Sequence, residues 1–107
     1  MRGRINTNRW DKSKYMNDRP PITHVAIRFE GATYSLPSPN RHHHVIRLIV
    51  EKTGAKYVDA REDDQGFLDE SGRYFNRKQA LVSAKINNQI KDLSKIRYGM
   101  LFSEDLW

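Results

Sequence analysis

Residues 65–80 read Gln65-Gly66-Phe67-Leu68-Asp69-Glu70-Ser71-Gly72-Arg73-Tyr74-Phe75-Asn76-Arg77-Lys78-Gln79-Ala80. Gln65-Gly66-Phe67-Leu68 and Arg73-Tyr74-Phe75 are short strand candidates. They flank Asp69-Glu70-Ser71-Gly72, a turn that closes on glycine. Asn76 is then a helix N-cap, and Gln79 stands three residues on, as a capping box requires. Ala80, Leu81, Ala84 and Ile90 supply the buried side of this helix, which is expected to end near Asn87-Asn88-Gln89.

Upstream, Val25, Ile27 and Phe29 alternate on one face of a strand. Glu30-Gly31 makes a two-residue turn, and Ala32-Thr33-Tyr34-Ser35-Leu36 returns as the second strand of a hairpin. Ser38-Pro39 is expected to open a helix that runs through Val45, Ile46 and Ile49 to Gly54, a C′ residue. Ala55-Lys56-Tyr57-Val58-Asp59-Ala60 is expected to be a third strand, and Arg61-Glu62-Asp63-Asp64 a polar link. Together these elements predict an α+β fold: a small antiparallel sheet, a hairpin plus further strands, packed by two helices. Residues 22–107 form the domain, and residues 1–21 a basic N-terminal arm that ends at Pro20-Pro21.

The chain has 107 residues, enough for one domain, with 37% hydrophobic residues and no cysteine. Mean hydropathy is −0.82, so the core is modest and oligomerisation is a natural way to bury more surface. Without cysteine there are no disulfides, thiolate zinc sites or thiol nucleophiles. No apolar run approaches the ~18 residues of a membrane span, and no signal-peptide core follows Met1. A cytoplasmic protein is therefore expected. Charge is uneven: residues 1–21 hold six basic and two acidic residues, a balance of +4 in a chain whose total is +6. An arm of this kind can bind nucleic acid electrostatically, or drape over a neighbouring subunit.

The candidate site residues point to binding more than to catalysis. Arg73 and Arg77 bracket Tyr74 and Phe75 at a helix start, where arginine can hold a phosphate while an aromatic ring such as Phe67 or Tyr74 stacks on a base. His42 and His43, with Arg41, can face an anion at the first helix N-terminus. Adjacent helical residues point about 100° apart, so His42-His43-His44 is not a metal site. The C-terminal Glu104-Asp105 and Trp107 suggest a tail clipped against a partner subunit. No phosphate loop, dinucleotide fingerprint or nucleophile elbow is present. Neither a catalytic residue nor a cofactor is expected; a hydrolase with His42, His43 or His44 as base ranks last.

The pattern Gln-Gly-Phe, Gly-Arg-Tyr-Phe-Asn-Arg-Lys-Gln-Ala and Leu-Phe-Ser-Glu-Asp-Leu, spread over residues 24–107, resembles a group of small phage-encoded proteins. That group is similar to the sponges that counter the Thoeris immune system, which sequester cyclic ADP-ribose isomers, and in some cases cyclic oligonucleotides, without cleaving them. The resemblance implies a homo-oligomer with ligand pockets at subunit contacts, and Gly66, Phe67, Gly72, Arg73, Arg77 and Asp105 as ligand-site positions. Two departures stand out: Asn88 where the pattern has glycine, and the basic arm. An alternative reading is a nucleic-acid-binding or defence-complex-inhibiting accessory protein that acts through that arm.

Overall fold

Strand β1 (Ile22–Phe29) turns through Glu30 and Gly31, both with positive φ, into β2 (Ala32–Pro37). The mirror-image turn matches the twist of the hairpin it closes, and Phe29 stands opposite Ala32. After α1 (His42–Thr53), a second hairpin follows, β3 (Gln65–Asp69) and β4 (Tyr74–Asn76), and it feeds directly into α2 (Arg77–Ile86). The computed structural model describes residues 19–107. The expected arm therefore lies outside the described residues, except for Arg19, Pro20 and Pro21.

The four strands form one antiparallel sheet in the order β2-β1-β3-β4. With two helices packed on it, the architecture is the α+β fold expected. A row of side chains, Leu36, Val25, Phe67 and Phe75, crosses the sheet at matching register positions. Helix α1 packs on β1 and β2, and α2 on β3 and β4. Val45 and Ile49 from α1, Ala80, Leu81 and Ala84 from α2, and Leu101 from the C-terminal tail join this row in one core cluster. Such cross-strand apolar pairs, covered by a helix, are what stabilises a small sheet.

Asn76 and Gln79 form the capping box read from the sequence: the Gln79 N–H donates to Asn76 Oδ1 at 2.8 Å, and the Asn76 N–H donates to Gln79 Oε1 at 2.9 Å. Two other expectations are corrected. Helix α1 starts at His42, not at Ser38-Pro39. The Ser38 N–H donates to the Thr23 carbonyl at 3.0 Å, so Ser38 still continues the β1–β2 ladder. Instead the Arg41 N–H donates to His44 Nδ1 at 2.9 Å. Residues 55–60 are not a strand. Both edges of β1 are already taken by β2 and β3, and of this segment Val58 and Ala60 rest on the core.

The end of α2 grips the start of β1. The Ile22 N–H donates to Gln89 Oε1 at 2.8 Å, and Gln89 Nε2 donates back to the Ile22 carbonyl at 2.9 Å. The chain reaches this position through Asn88, whose φ of +57° lies in the left-handed region. Asparagine tolerates that conformation better than most residues, so Asn88 serves at a position that otherwise favours glycine.

Gly66 is buried in β3, and a Cβ there would collide with the Phe75 carbonyl oxygen and press on the Tyr74 ring. Gly66→Ala is expected to cost about 2–3 kcal/mol of stability in urea unfolding, because backbone cannot move aside as a side-chain tip can. Asn88→Gly, by contrast, is expected to be neutral or stabilising by a few tenths of a kcal/mol.

Candidate functional site

The residues singled out from the sequence fall into three places. His42, Gly66 and Phe67 form an interior node. His42 Nε2–H donates to the Gly66 carbonyl at 2.8 Å, and the ring meets Phe67 edge-on, with centroids 5.1 Å apart and planes at 84°. Phe67 is fully buried and His42 nearly so, so neither ring is at a surface where a base could stack. Gly72, at φ +90°, belongs to the β3–β4 turn. There the buried Asp69 carboxylate accepts from Ser71 N–H, Ser71 Oγ and Arg73 N–H at 2.9, 2.6 and 3.1 Å.

A second group lies on the β4 side. The Arg73 guanidinium sits 5.3 Å over the Phe75 ring and lines a shallow pocket of about 280 Å³ with Tyr74 and Gln79. Tyr74 is already engaged: Arg28 lies 4.5 Å over its ring, and its hydroxyl donates to the Asp63 carbonyl at 3.0 Å. Burial pushes the Tyr74 phenol up from its usual range. His43 is exposed and stacks obliquely on His44 at 4.0 Å.

The third group gathers Arg77 and Asp105 around Phe102. The Leu101 N–H donates to the Arg77 carbonyl at 3.0 Å, which lays the tail across the start of α2. The Arg77 guanidinium then stands 4.7 Å over the Phe102 ring. Its Nε is buried without a hydrogen-bond partner. Burial lowers the Arg77 pKa, while Glu104 and Glu62 act in the opposite sense. Asp105 Oδ2 accepts from the Phe102 N–H at 2.9 Å. The Trp107 indole N–H donates to the Asn40 carbonyl at 2.8 Å, which ties the tail to the start of α1 in its own chain.

Phe102, Glu104 and Asp105 line an open groove of about 590 Å³. The rest of the lining includes residues that nothing in the sequence singled out: Lys91, Lys95, Arg97 and Tyr98. The Lys91 N–H donates to the Asp105 carbonyl at 2.9 Å and joins the two segments. The groove also contains acids, but each is engaged locally. Asp92 caps a short 3-10 turn through Ser94 N–H and Oγ, Asp105 holds Phe102, and Glu104 accepts from Ser103 Oγ at 3.1 Å. Among the described residues, no side-chain hydrogen bond or ion pair within 4 Å engages Lys91, Lys95 or Arg97. Three basic side chains and an aromatic within eight residues were the available signal. The segment has no periodicity, so nothing indicated that they line one groove.

Among the described residues, no cluster of three His, Asp or Glu side chains is placed to hold a metal ion, and no helix is long and apolar enough to cross a membrane.

Burial lowers the His42 pKa from 6.5 to about 4, with the nearby Arg77 adding to the shift and the Gly66 hydrogen bond and Glu104 opposing it. The folded value lies below the unfolded one. The neutral ring's contribution is therefore complete above about pH 6.5 and is lost as pH falls towards 4. Unfolding free energy is expected to drop by about 3 kcal/mol over that window on this account. His42→Gln, which keeps a donor for Gly66, is expected to flatten that part of the profile in urea titrations at pH 7 and 4.5.

Comparison with curated proteins returns no match, and neither does comparison with solved structures. The family model described as phage T4 y16D protein matches residues 21–107, which span the whole sheet, both helices and the groove. The chain belongs to the phage T4 y16D protein family.

Proposed function

We propose that this phage protein binds an anionic, base-bearing small molecule in the C-terminal groove and sequesters it without cleavage. The ligand class is a cyclic nucleotide immune signal, either a cyclic ADP-ribose isomer or a cyclic oligonucleotide. The observation that carries the reading is the groove itself: Lys91, Lys95 and Arg97, which lie in no ion pair within 4 Å among the described residues, line a space of about 590 Å³ together with Tyr98 and Phe102. Cations supply charge-assisted hydrogen bonds to phosphate, and aromatic faces accept any base. Arg77, stacked on the Phe102 ring that lines the groove, adds a positive charge behind it. The resemblance to Thoeris-countering sponges supports the same ligand class and a homo-oligomeric state.

Binding without turnover draws support from two of the three adjacent histidines. His42 is interior, held neutral and bonded to the Gly66 carbonyl, and His44 accepts from its own helix's Arg41 N–H. A general base must reach its substrate within hydrogen-bond distance. A second reading, nucleic-acid binding through the arm, draws on the +4 balance of residues 1–21.

The test incubates the full chain with cyclic ADP-ribose, cyclic di-AMP and a cyclic triadenylate, then washes, heats and weighs what is released. Stoichiometric recovery of one of them intact is expected. Arg97→Ala and Lys95→Ala are each expected to weaken its binding by about tenfold, the scale of one charge-assisted contact. Removal of residues 1–18 is expected to leave it unchanged. Retention of no probe, or recovery of cleaved product, contradicts the proposal. Loss of RNA or DNA binding in the shortened chain favours the arm.

A further inference from the structure

Tyr98 sits in a conformation that its residue type disfavours. Arg97, Tyr98, Gly99 and Met100 form a tight turn in which the Met100 N–H donates to the Arg97 carbonyl at 3.1 Å, with Arg97 and Met100 paired as an isolated bridge. Tyr98 has φ +60° and Gly99 φ +62°, the mirror-image type I turn. Asn-Gly is the sequence this turn favours, because Cβ of a bulky residue crowds the backbone at positive φ. Glycine supplies the second position here, but the first is a tyrosine.

The same tyrosine is 78% exposed, and among the described residues it has neither a hydrogen bond nor a ring contact. An exposed, strained aromatic without an intramolecular partner contributes little to the fold. It does line the groove, beside Arg97 and with Lys91 and Lys95. The other aromatic of the groove, Phe102, already carries the Arg77 guanidinium on its ring. Tyr98 is therefore the groove aromatic whose ring is unoccupied. Backbone outliers of this kind concentrate where the strain holds a side chain in a working position.

We infer that Tyr98 is the base-stacking residue of the groove: its left-handed turn holds an unpartnered ring against the site where Lys91, Lys95 and Arg97 gather, ready for the planar base of a phosphate-bearing ligand. The assignment rests on the nucleotide-binding reading above and adds to it a division of labour. The cations hold phosphate, Tyr98 holds the base, and stability is given up for the ring's placement.

The experiment compares the wild-type chain, Tyr98→Phe and Tyr98→Asn by calorimetric titration at low salt and by thermal unfolding. Cyclic ADP-ribose and cyclic di-AMP are the base-bearing probes, and ribose 5-phosphate is the base-free one. Tyr98→Asn is expected to weaken the base-bearing probe that wild type binds by about tenfold or more, the scale of one lost stacking partner. It should leave ribose 5-phosphate unchanged and raise Tm by about 4 °C, because asparagine suits the turn. Tyr98→Phe keeps the ring and is expected to bind as wild type does. Wild-type affinity in Tyr98→Asn overturns the stacking role and leaves the proposed function standing. An equal loss for ribose 5-phosphate also overturns it, since the residue would then shape the groove as a whole. If wild type binds neither base-bearing probe, the nucleotide reading fails and this assignment with it.

Discussion

The hydrogen bond from the His42 imidazole to the Gly66 carbonyl is the contact on which the rest of the structure depends. It joins the first turn of α1 to the start of β3, two elements separated by a long crossover. Burial of the ring lowers its pKa although the bond itself acts in the opposite sense, and because Gly66 has no side chain, β4 and the Tyr74 ring can close over the same point. Phe67, the next residue, fills the space beneath the imidazole and anchors the row that crosses the sheet. A buried polar group satisfied in this way costs little; left unpaired it would cost about 1–3 kcal/mol. The histidine run is in this respect a packing device, with His42 inside, His44 bonded to the backbone before it and His43 outside.

A different kind of construction holds the C-terminal groove. It contains no strand or long helix. Short turns place its side chains, tied by backbone bonds such as Leu101 to Arg77 and Lys91 to Asp105, and by the Trp107 indole on Asn40. The rigid sheet and α2 supply the platform, and the loops supply the chemistry, a division common to binding proteins. Asp92 and Asp105 cap these turns and keep their charge, so the surface is mixed in sign, although among the described residues Lys91, Lys95 and Arg97 lie in no ion pair within 4 Å.

Much of the fold was legible because its signals are local. Glu30-Gly31 and Asp69-Glu70-Ser71-Gly72 announce their turns, and Asn76 with Gln79 announces a helix start. Ser38-Pro39 misled because serine's capping preference is local, whereas its bond to Thr23 depends on where β2 ends in space. Residues 55–60 have strand composition but pair with no strand of the sheet. The site was legible only in part. Arg77 and Asp105 do adjoin the groove through Phe102, whereas Gly66, Phe67 and His42 are interior and Arg73 stacks on a different ring. Lys91, Lys95, Arg97 and Tyr98 lie in a stretch without periodicity, and only the turn geometry brings them to one groove.

The most direct test of the central claim is amide chemical-shift mapping on the full chain titrated with cyclic ADP-ribose and, separately, cyclic di-AMP. The account expects saturable shifts concentrated in residues 91–105 and at Arg77, with the β1–β2 hairpin silent. Saturable shifts confined to residues 1–21 or to the Arg73 pocket, or no shifts with either compound, would contradict it.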